Sequence, residues 1–442
     1  MSRSARLSCA GLLLLGLLVA FGQTQAPPED AVPPDPPLRW FKGNLHTHSL
    51  WSDGNDFPEM IADWYRGHGY QFLALSDHNV LSEGVKWIDA EAAAKRGAIA
   101  GLDRYRARFG DDWVETREVD GKLQVRLKPL NEFRSLVEER GKFLLIQAEE
   151  ITDHFGNLPV HINASNLRDV IKPQGGSSVR DTIRNNLLAV EAQRQRTGEP
   201  ILAHLNHPNF GYAVTAEDLA DVLEERFFEV YNGHPGVHHQ GDHHHAPVER
   251  LWDIASTLRV AEMKAPPLYG LATDDSHNYF GDRGASPGRG WVMVQAKHLT
   301  PQAIIHAITR GDFYASSGVR LAEVRYSAEE GVLEVQIEPE DGESYTIDFL
   351  GTQVGYDSRR EPVLDKEGQP LGVTYRYSND VGRVLATSRG TSGRYKLTGQ
   401  EYYVRAVVTS SKPPDNPAFE HQHKQAWTQP VGWDKWMETS HP

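Results

Sequence analysis

Phe72-Leu73-Ala74-Leu75-Ser76-Asp77-His78 is a four-residue apolar run that breaks directly into a hydroxyl, a carboxylate and an imidazole. The same grammar recurs along the chain. Phe143-Leu144-Leu145-Ile146 leads to Glu149 and Glu150, and Val160-His161-Ile162 carries its own histidine. Ile201-Leu202-Ala203 precedes His204 and His207, and Phe227-Phe228-Glu229-Val230-Tyr231 precedes Asn232 and His234. Leu268-Tyr269-Gly270-Leu271-Ala272 precedes Asp275 and His277, and Trp291-Val292-Met293-Val294 closes the series. Between the runs lie helical segments with clear punctuation. One opens near Asp56 with Pro58 in its first turn, one spans Asn131 to a stop at Gly141, and one runs from Thr300-Pro301 to Gly311. Such alternation predicts a parallel α/β architecture. In those folds the site gathers where the strands end. A closed or nearly closed barrel brings all these polar residues to one rim, whereas an open sheet scatters them, so a barrel is expected.

Residues 83–130 read as an insertion, helical to about Phe109 and then a hairpin turning at Asp120-Gly121. From about residue 321 to 430 short alternating strands take over, as in Gly331–Ile337 and Tyr402–Val408, and predict an all-β, sandwich-like accessory region with a tail from 431. The expected barrel domain is therefore 39–320.

The N-terminus carries Arg3 and Arg6, an apolar run from Leu12 to Phe21, and small residues at Thr24 and Ala26. That is the layout of a signal peptide over 1–26, followed by a proline-rich disordered linker over 27–38, and it predicts a secreted or periplasmic protein. The apolar core is too short to anchor the chain stably in a membrane. Cys9 is the only cysteine, so the mature chain has neither a disulfide nor a thiolate ligand. With 46 basic and 60 acidic side chains in 442 residues the net charge is −14, which argues against nonspecific nucleic-acid binding.

His46 and His48 stand at i and i+2 on an extended segment and so face one side, where they can grip one cation. Asp53, His78, Glu150, His161, His207, Asp275 and His277 add carboxylate and imidazole donors of the kind that bind zinc, iron or manganese. No G-x-S-x-G elbow and no phosphate loop of the Walker type is present. The nucleophile that remains is a metal-bound hydroxide.

His46-x-His48 with Ser52-Asp53-Gly54, Ser76-Asp77-His78, the strand end Glu150-Ile151-Thr152, His207-Pro208 and Asp275-x-His277 together resemble the polymerase-and-histidinol-phosphatase (PHP) superfamily of metallohydrolases. The stretch Asn131–Gly318 further resembles its secreted branch, which includes carbamate-ester hydrolases. The resemblance implies a distorted seven-stranded (βα) barrel with two or three divalent ions (Mn, Zn or Fe) at its rim. It implies one ion on His46, His48, Glu150 and Asp275. A second would share Glu150 with His161 and His207, and a third would take Asp53, His78 and His277. Asp53, His78, Glu150 and His277 are the candidate catalytic residues. Alternation lets only one of Glu149 and Glu150 face the rim, and the resemblance aligns Glu150. It likewise selects His207 over His204. Asp77 reads as an orienter of imidazole, and the Asp-x-His spacing selects Asp275 over Asp274.

Asn232, His234, Arg283 and Arg289 are the candidates for holding substrate. Arg289, in Pro287-Gly288-Arg289-Gly290, is either a bidentate clamp for an anion or a turn arginine. His234 either lines the pocket or belongs to the histidine-rich loop that runs through His238, His239, His243, His244 and His245. The expected activity is hydrolysis of a small, anionic phosphoester. The alternative keeps the site and changes the bond to a carbamate or carboxyl ester. A non-catalytic metal- or glycan-binding protein is the third reading.

Overall fold

The computed structural model describes residues 35–91, 99–280 and 284–437. The expected leader, most of the expected linker and Arg283 lie outside the described residues.

Strands β1 (Arg39–Asn44), β2 (Phe72–Leu75) and β6 (Leu144–Phe155) run parallel and side by side. Gly43 of β1 sits against the ring of Phe72, and a side chain there would collide with it. The helix Pro58–Gly67 crosses from β1 to β2. Its buried Ile61, Ala62 and Tyr65 pack with Leu73 and Leu75 and with Phe133 of the helix Leu130–Val137. The insertion contributes β3 (Lys86–Asp89), the helix Ile99–Phe109, β4 (Thr116–Val119) and β5 (Lys122–Leu127), with the strands in a separate small sheet. Asp120 and Gly121 both take positive φ (51° and 72°) and turn β4 into β5, as a two-residue hairpin of this twist requires.

The next strands depart from the expected parallel series. β6 folds straight back on β7 (Leu158–Ser165) as a hairpin, pairing Phe155 with Leu158 and Glu150 with Asn163. The cause is local: Gly156 at φ 59°, followed by Asn157, supplies a two-residue turn with glycine at its first central position. β7 then pairs antiparallel with β8 (Leu202–Leu205). The helix Val179–Thr197 connects them, opened by the Ser178 side chain on Asp181 N and closed by Gly198 at φ 70°. β8, β9 (Phe227–Asn232) and β10 (Tyr269–Thr273) resume parallel pairing.

The expected closed barrel is not formed by these ladders. Among the described residues these strands stand in the order β10-β9-β8-β7-β6-β2-β1, with β10 at an edge of the sheet. The free side of β1, which closure would offer to β10, is taken by β11 (Trp291–Ala296), antiparallel from Arg39↔Ala296 to Gly43↔Val292. What joins the two ends is the chain just beyond β1 and β10. His48 N donates to Ser276 O and Asp275 N to His46 O, each at 3.0 Å. Those two bonds bring the candidate ligands of the first and last strands together.

After β11, the helix Pro301–Arg310 leads to β12 (Phe313–Ser316), and the chain is β-rich from there. β13 (Leu321–Ser327), β14 (Val332–Ile337) and β19 (Ser392–Lys396) form a small sheet, and β16 (Arg360–Glu361) pairs with β17 (Arg376–Tyr377). β15 (Tyr345–Gln353), β18 (Arg383–Arg389), β20 (Glu401–Ser410) and β21 (Gln425–Thr428) continue the large sheet through β12. Leu333, Val335 and Ile337 of the small sheet pack on Ile347, Phe349 and Val408 of the large one. The ladder is thus unbroken across residue 320, and the described residues from Pro37 onward cluster as one compact unit. Buried Arg405 on β20 grips both oxygens of Asp253 on the helix Val248–Thr257, at 2.9 and 2.7 Å. The segment read as a tail also begins bound to β20, with Val431 N on Val404 O and Trp436 Nε1 on Glu401 O. Among the described residues, no helix is long and apolar enough to cross a membrane.

Candidate metal centre

Beyond β1 the chain bends at Leu45, where His46 N donates to Asn44 Oδ1 at 2.9 Å, and Thr47 then bridges to Ser276. His46 and His48 therefore project the same way, and their Nε2 atoms lie 3.1 Å apart. Asp275 Oδ1 stands 3.2 Å from His46 Nε2 and 3.1 Å from His48 Nε2. Glu150 reaches in from β6, Oε1 3.5 Å from His46 Nε2 and Oε2 3.4 Å from His48 Nε2. On its other side Glu150 Oε1 meets His161 Nδ1 at 3.0 Å and His207 Nε2 at 3.5 Å. Asp53, half exposed, has Oδ2 3.4 Å from His78 Nε2 and 3.5 Å from His277 Nε2, and Oδ1 3.6 Å from His48 Nδ1.

Among the described residues, three groups of donors are close enough to hold a metal ion: His48, Asp53, His78 and His277; His46, His48 and Glu150; and Glu150, His161 and His207. His48 and Glu150 each belong to two of them. Asp275 borders the middle group. All nine candidate ligands thus occupy one rim.

The donor chemistry fits divalent cations. Two imidazole nitrogens facing each other at 3.1 Å repel unless a proton or a cation lies between them. Glu150 Oε2, His48 Nδ1 and His161 Nδ1 are buried without an aligned hydrogen-bond partner, although charged neighbours surround them. Such atoms are costly unless something satisfies them. Burial works to raise the carboxyls of Glu150 and Asp275, but the surrounding histidines, His46 foremost, outweigh it and hold both well below the usual range. Burial, with His277 adding to it, lowers His48 to about 4, so its ring is neutral and has a lone pair to offer. The other ring nitrogens are held as well: His78 Nδ1 lies 2.5 Å from Thr152 Oγ1 and 2.8 Å from Glu150 Oε2, and His277 Nδ1 lies 2.9 Å from Asp275 O.

The pleat decides between the paired candidates. Glu149 points away from the rim and accepts Ile171 N at 2.6 Å. His204 lies deeper than His207, 3.5 Å from Glu229 and with neither ring nitrogen hydrogen-bonded. Asp77 does not orient an imidazole. It accepts Ser49 N, Ser49 Oγ and Ser52 Oγ at 2.8, 2.7 and 2.6 Å, and so fixes the loop that carries Asp53. Asp274 is spent on Tyr65 and on the backbone N–H groups of residues 288–290.

Asn232 and Arg289 also differ from their reading as substrate contacts. Asn232 Nδ2 donates to Glu229 Oε2 and Asp275 Oδ2 at 2.8 and 3.1 Å, which steadies a candidate ligand. Arg289 is buried, with Nη1 on Gly233 O and Gly284 O and with Nε and Nη2 on Asn416 Oδ1. It braces three loops and has few donors left for an anion. Arg289→Ala is therefore expected to lower kcat/KM by similar factors for an anionic phosphoester and a neutral ester, and to lower the thermal midpoint. A selective loss on the anion would restore the clamp reading.

His234 does face the site. Its ring lies 5.5 Å from that of His277, and its Nδ1 accepts Gly236 N, leaving the proton on Nε2. Phe210 stands 5.1 Å from His207 and 6.2 Å from His234. The other loop histidines stay out of the three donor groups. His239 is buried on Asn232 O, and His245 is held by Asp242 and stacked on Tyr212.

Glu229 is the residue that reasoning from the sequence missed. Its carboxylate is buried against His46 Nδ1 at 2.7 Å. The signal was a lone acid inside the apolar run Phe227–Tyr231.

No family model and no curated protein matches the chain. Among solved structures, a two-domain protein from Bacteroides vulgatus, described as containing a predicted PHP-like metal-dependent phosphoesterase, is similar at 15% identity and a TM-score of 0.38, over 90% of this chain and 97% of that one. A candidate metal-dependent phosphoesterase from Bifidobacterium adolescentis is similar at 14% identity and a TM-score of 0.28, over 55% of this chain and 92% of that one. Both likenesses are distant.

Proposed function

We propose that this chain is a metal-dependent hydrolase of the PHP type that cleaves phosphoester bonds in a small anionic substrate. The observation that carries the reading is the sharing of His48 and Glu150, which makes three donor groups contiguous at one rim. Two or three divalent ions bound there would activate water and neutralise charge on a phosphoryl group. Glu150, ionised and buried, would bridge two groups, and Asp275 with His46 and His48 would complete the middle one. Asp53, half exposed and ionised, would orient the attacking water by accepting a hydrogen bond at its carboxylate. His234, a neutral donor at Nε2 because burial lowers its pKa, would bind a substrate oxygen. The leader with Arg3, Arg6 and the run Leu12–Phe21 supports export.

Hydrolysis of a carbamate or carboxyl ester is the second reading, favoured by one observation: the donors of Arg289 are committed to loop carbonyls and Asn416. The test pairs elemental analysis with assays on p-nitrophenyl phosphate, bis-p-nitrophenyl phosphate and 1-naphthyl acetate, before and after chelation. Turnover of a phosphoester that chelation removes is the expected result. Turnover of 1-naphthyl acetate alone selects the second reading, and bound metal without turnover of any substrate leaves a binding protein.

A further inference from the structure

We infer that Glu229 is the positioning residue of this centre, with one buried carboxylate holding the ring of His46 in one donor group and the backbone of His207 in another. The inference rests on reading the cluster as a metal site.

Glu229 lies on β9, beneath the rim. Its Oε1 accepts from His46 Nδ1 and Thr273 Oγ1, each at 2.7 Å. Its Oε2 accepts from His207 N and Asn232 Nδ2, each at 2.8 Å. These four donors come from four segments: the chain beyond β1, the chain beyond β8, and the ends of β9 and β10. Asn232 passes the restraint on to Asp275 Oδ2 at 3.1 Å. His46 belongs to the middle donor group and His207 to the one built around His161.

Only an ionised carboxylate answers this geometry, because it accepts at both oxygens and carries no donor. By accepting the Nδ1–H of His46, Glu229 leaves Nε2 as the nitrogen that faces His48, Glu150 and Asp275. A carboxylate behind a histidine also raises the basicity of the ligating nitrogen. Glutamine has nearly the same shape, yet either orientation of its amide turns an NH2 group toward two donors. Glu229→Gln thus preserves volume and removes the function.

The experiment titrates metal-stripped full-length protein with Mn(II) or Zn(II). The readouts are bound metal per chain, the dissociation constant by competition with a chromophoric chelator, and the thermal midpoint with and without metal. E229Q should weaken at least one cation by roughly 10- to 100-fold and shrink the metal-induced rise in midpoint. E229D, which keeps the charge but retracts it, should fall between E229Q and wild type, and it provides the same comparison if E229Q does not fold. Wild-type affinity and stoichiometry in the variant that folds would overturn the assignment, including where only the metal-free midpoint has dropped. If wild type binds no divalent cation, the metal reading itself fails and the role of Glu229 falls with it.

Discussion

Glu150→Gln is expected to abolish measurable turnover and to release bound metal, while Glu149→Gln keeps most of both. The two residues are neighbours in sequence and opposites in surroundings. Glu150 has five imidazoles within 3.5 Å: His46, His48, His78, His161 and His207. Removing one charge from a buried, mutually compensating set costs roughly 3–5 kcal/mol. If it is lost from cation binding, that is about 10²- to 10³-fold or more in affinity. Because Glu150 belongs to two donor groups, the loss falls on both. Glu149 touches none of the nine. Burial, offset only in part by the Ile171 N–H, pushes its carboxyl up to about 7.

Linkage then separates the pair further. A carboxyl whose folded pKa stands above its ordinary value near 4.5 binds more protons in the folded state, so its contribution to stability falls as pH rises from about 4.5 to about 7. Glu149→Gln should therefore gain stability relative to wild type at pH 8 and not at pH 4, read by urea unfolding. Retained turnover in Glu150→Gln together with loss in Glu149→Gln would reverse the assignment of the strand face.

What could be read from the sequence, and what could not, follows from where each signal resides. The rim was legible because polar residues at strand ends interrupt apolar runs, and the structure brings His46, His48, Glu150 and Asp275 to one place. Glu229 was not, since a reading that looks for chemistry at strand ends passes over an acid in mid-strand. The β6–β7 hairpin had a local sign in Gly156-Asn157, but the two flanking runs also fit separate parallel strands. The open ladder had no local sign at all, because it depends on β11 taking the edge of β1, a pairing across some 250 residues. Asp77 and Arg289 show a third kind of loss. Sequence supplies the donor or acceptor type, while the partner that occupies it comes from a distant loop.

Replacing His46 and His48 together with alanine is expected to remove at least one equivalent of metal and to reduce turnover by roughly 10³-fold or more, about 4 kcal/mol in the barrier. His48 stands in two donor groups, so the double variant disturbs the middle site directly and takes one donor from the Asp53 site. The fold should survive. The backbone bonds that join the ends, His48 N to Ser276 O and Asp275 N to His46 O, do not use the side chains. Removing the two rings also leaves Asp275, Glu150 and Glu229 with fewer partners, so some stability is lost and the thermal midpoint falls modestly. Chelation of wild type should reproduce the loss of turnover, and Mn, Zn or Fe should restore it where Ca does not, because imidazole-rich donors suit the transition metals. The double variant should not recover with any of them at concentrations that saturate wild type. Full metal content in the double variant with full activity would mean that the two histidines only line the rim, and the centre would then have to be sought among Glu150, His161 and His207.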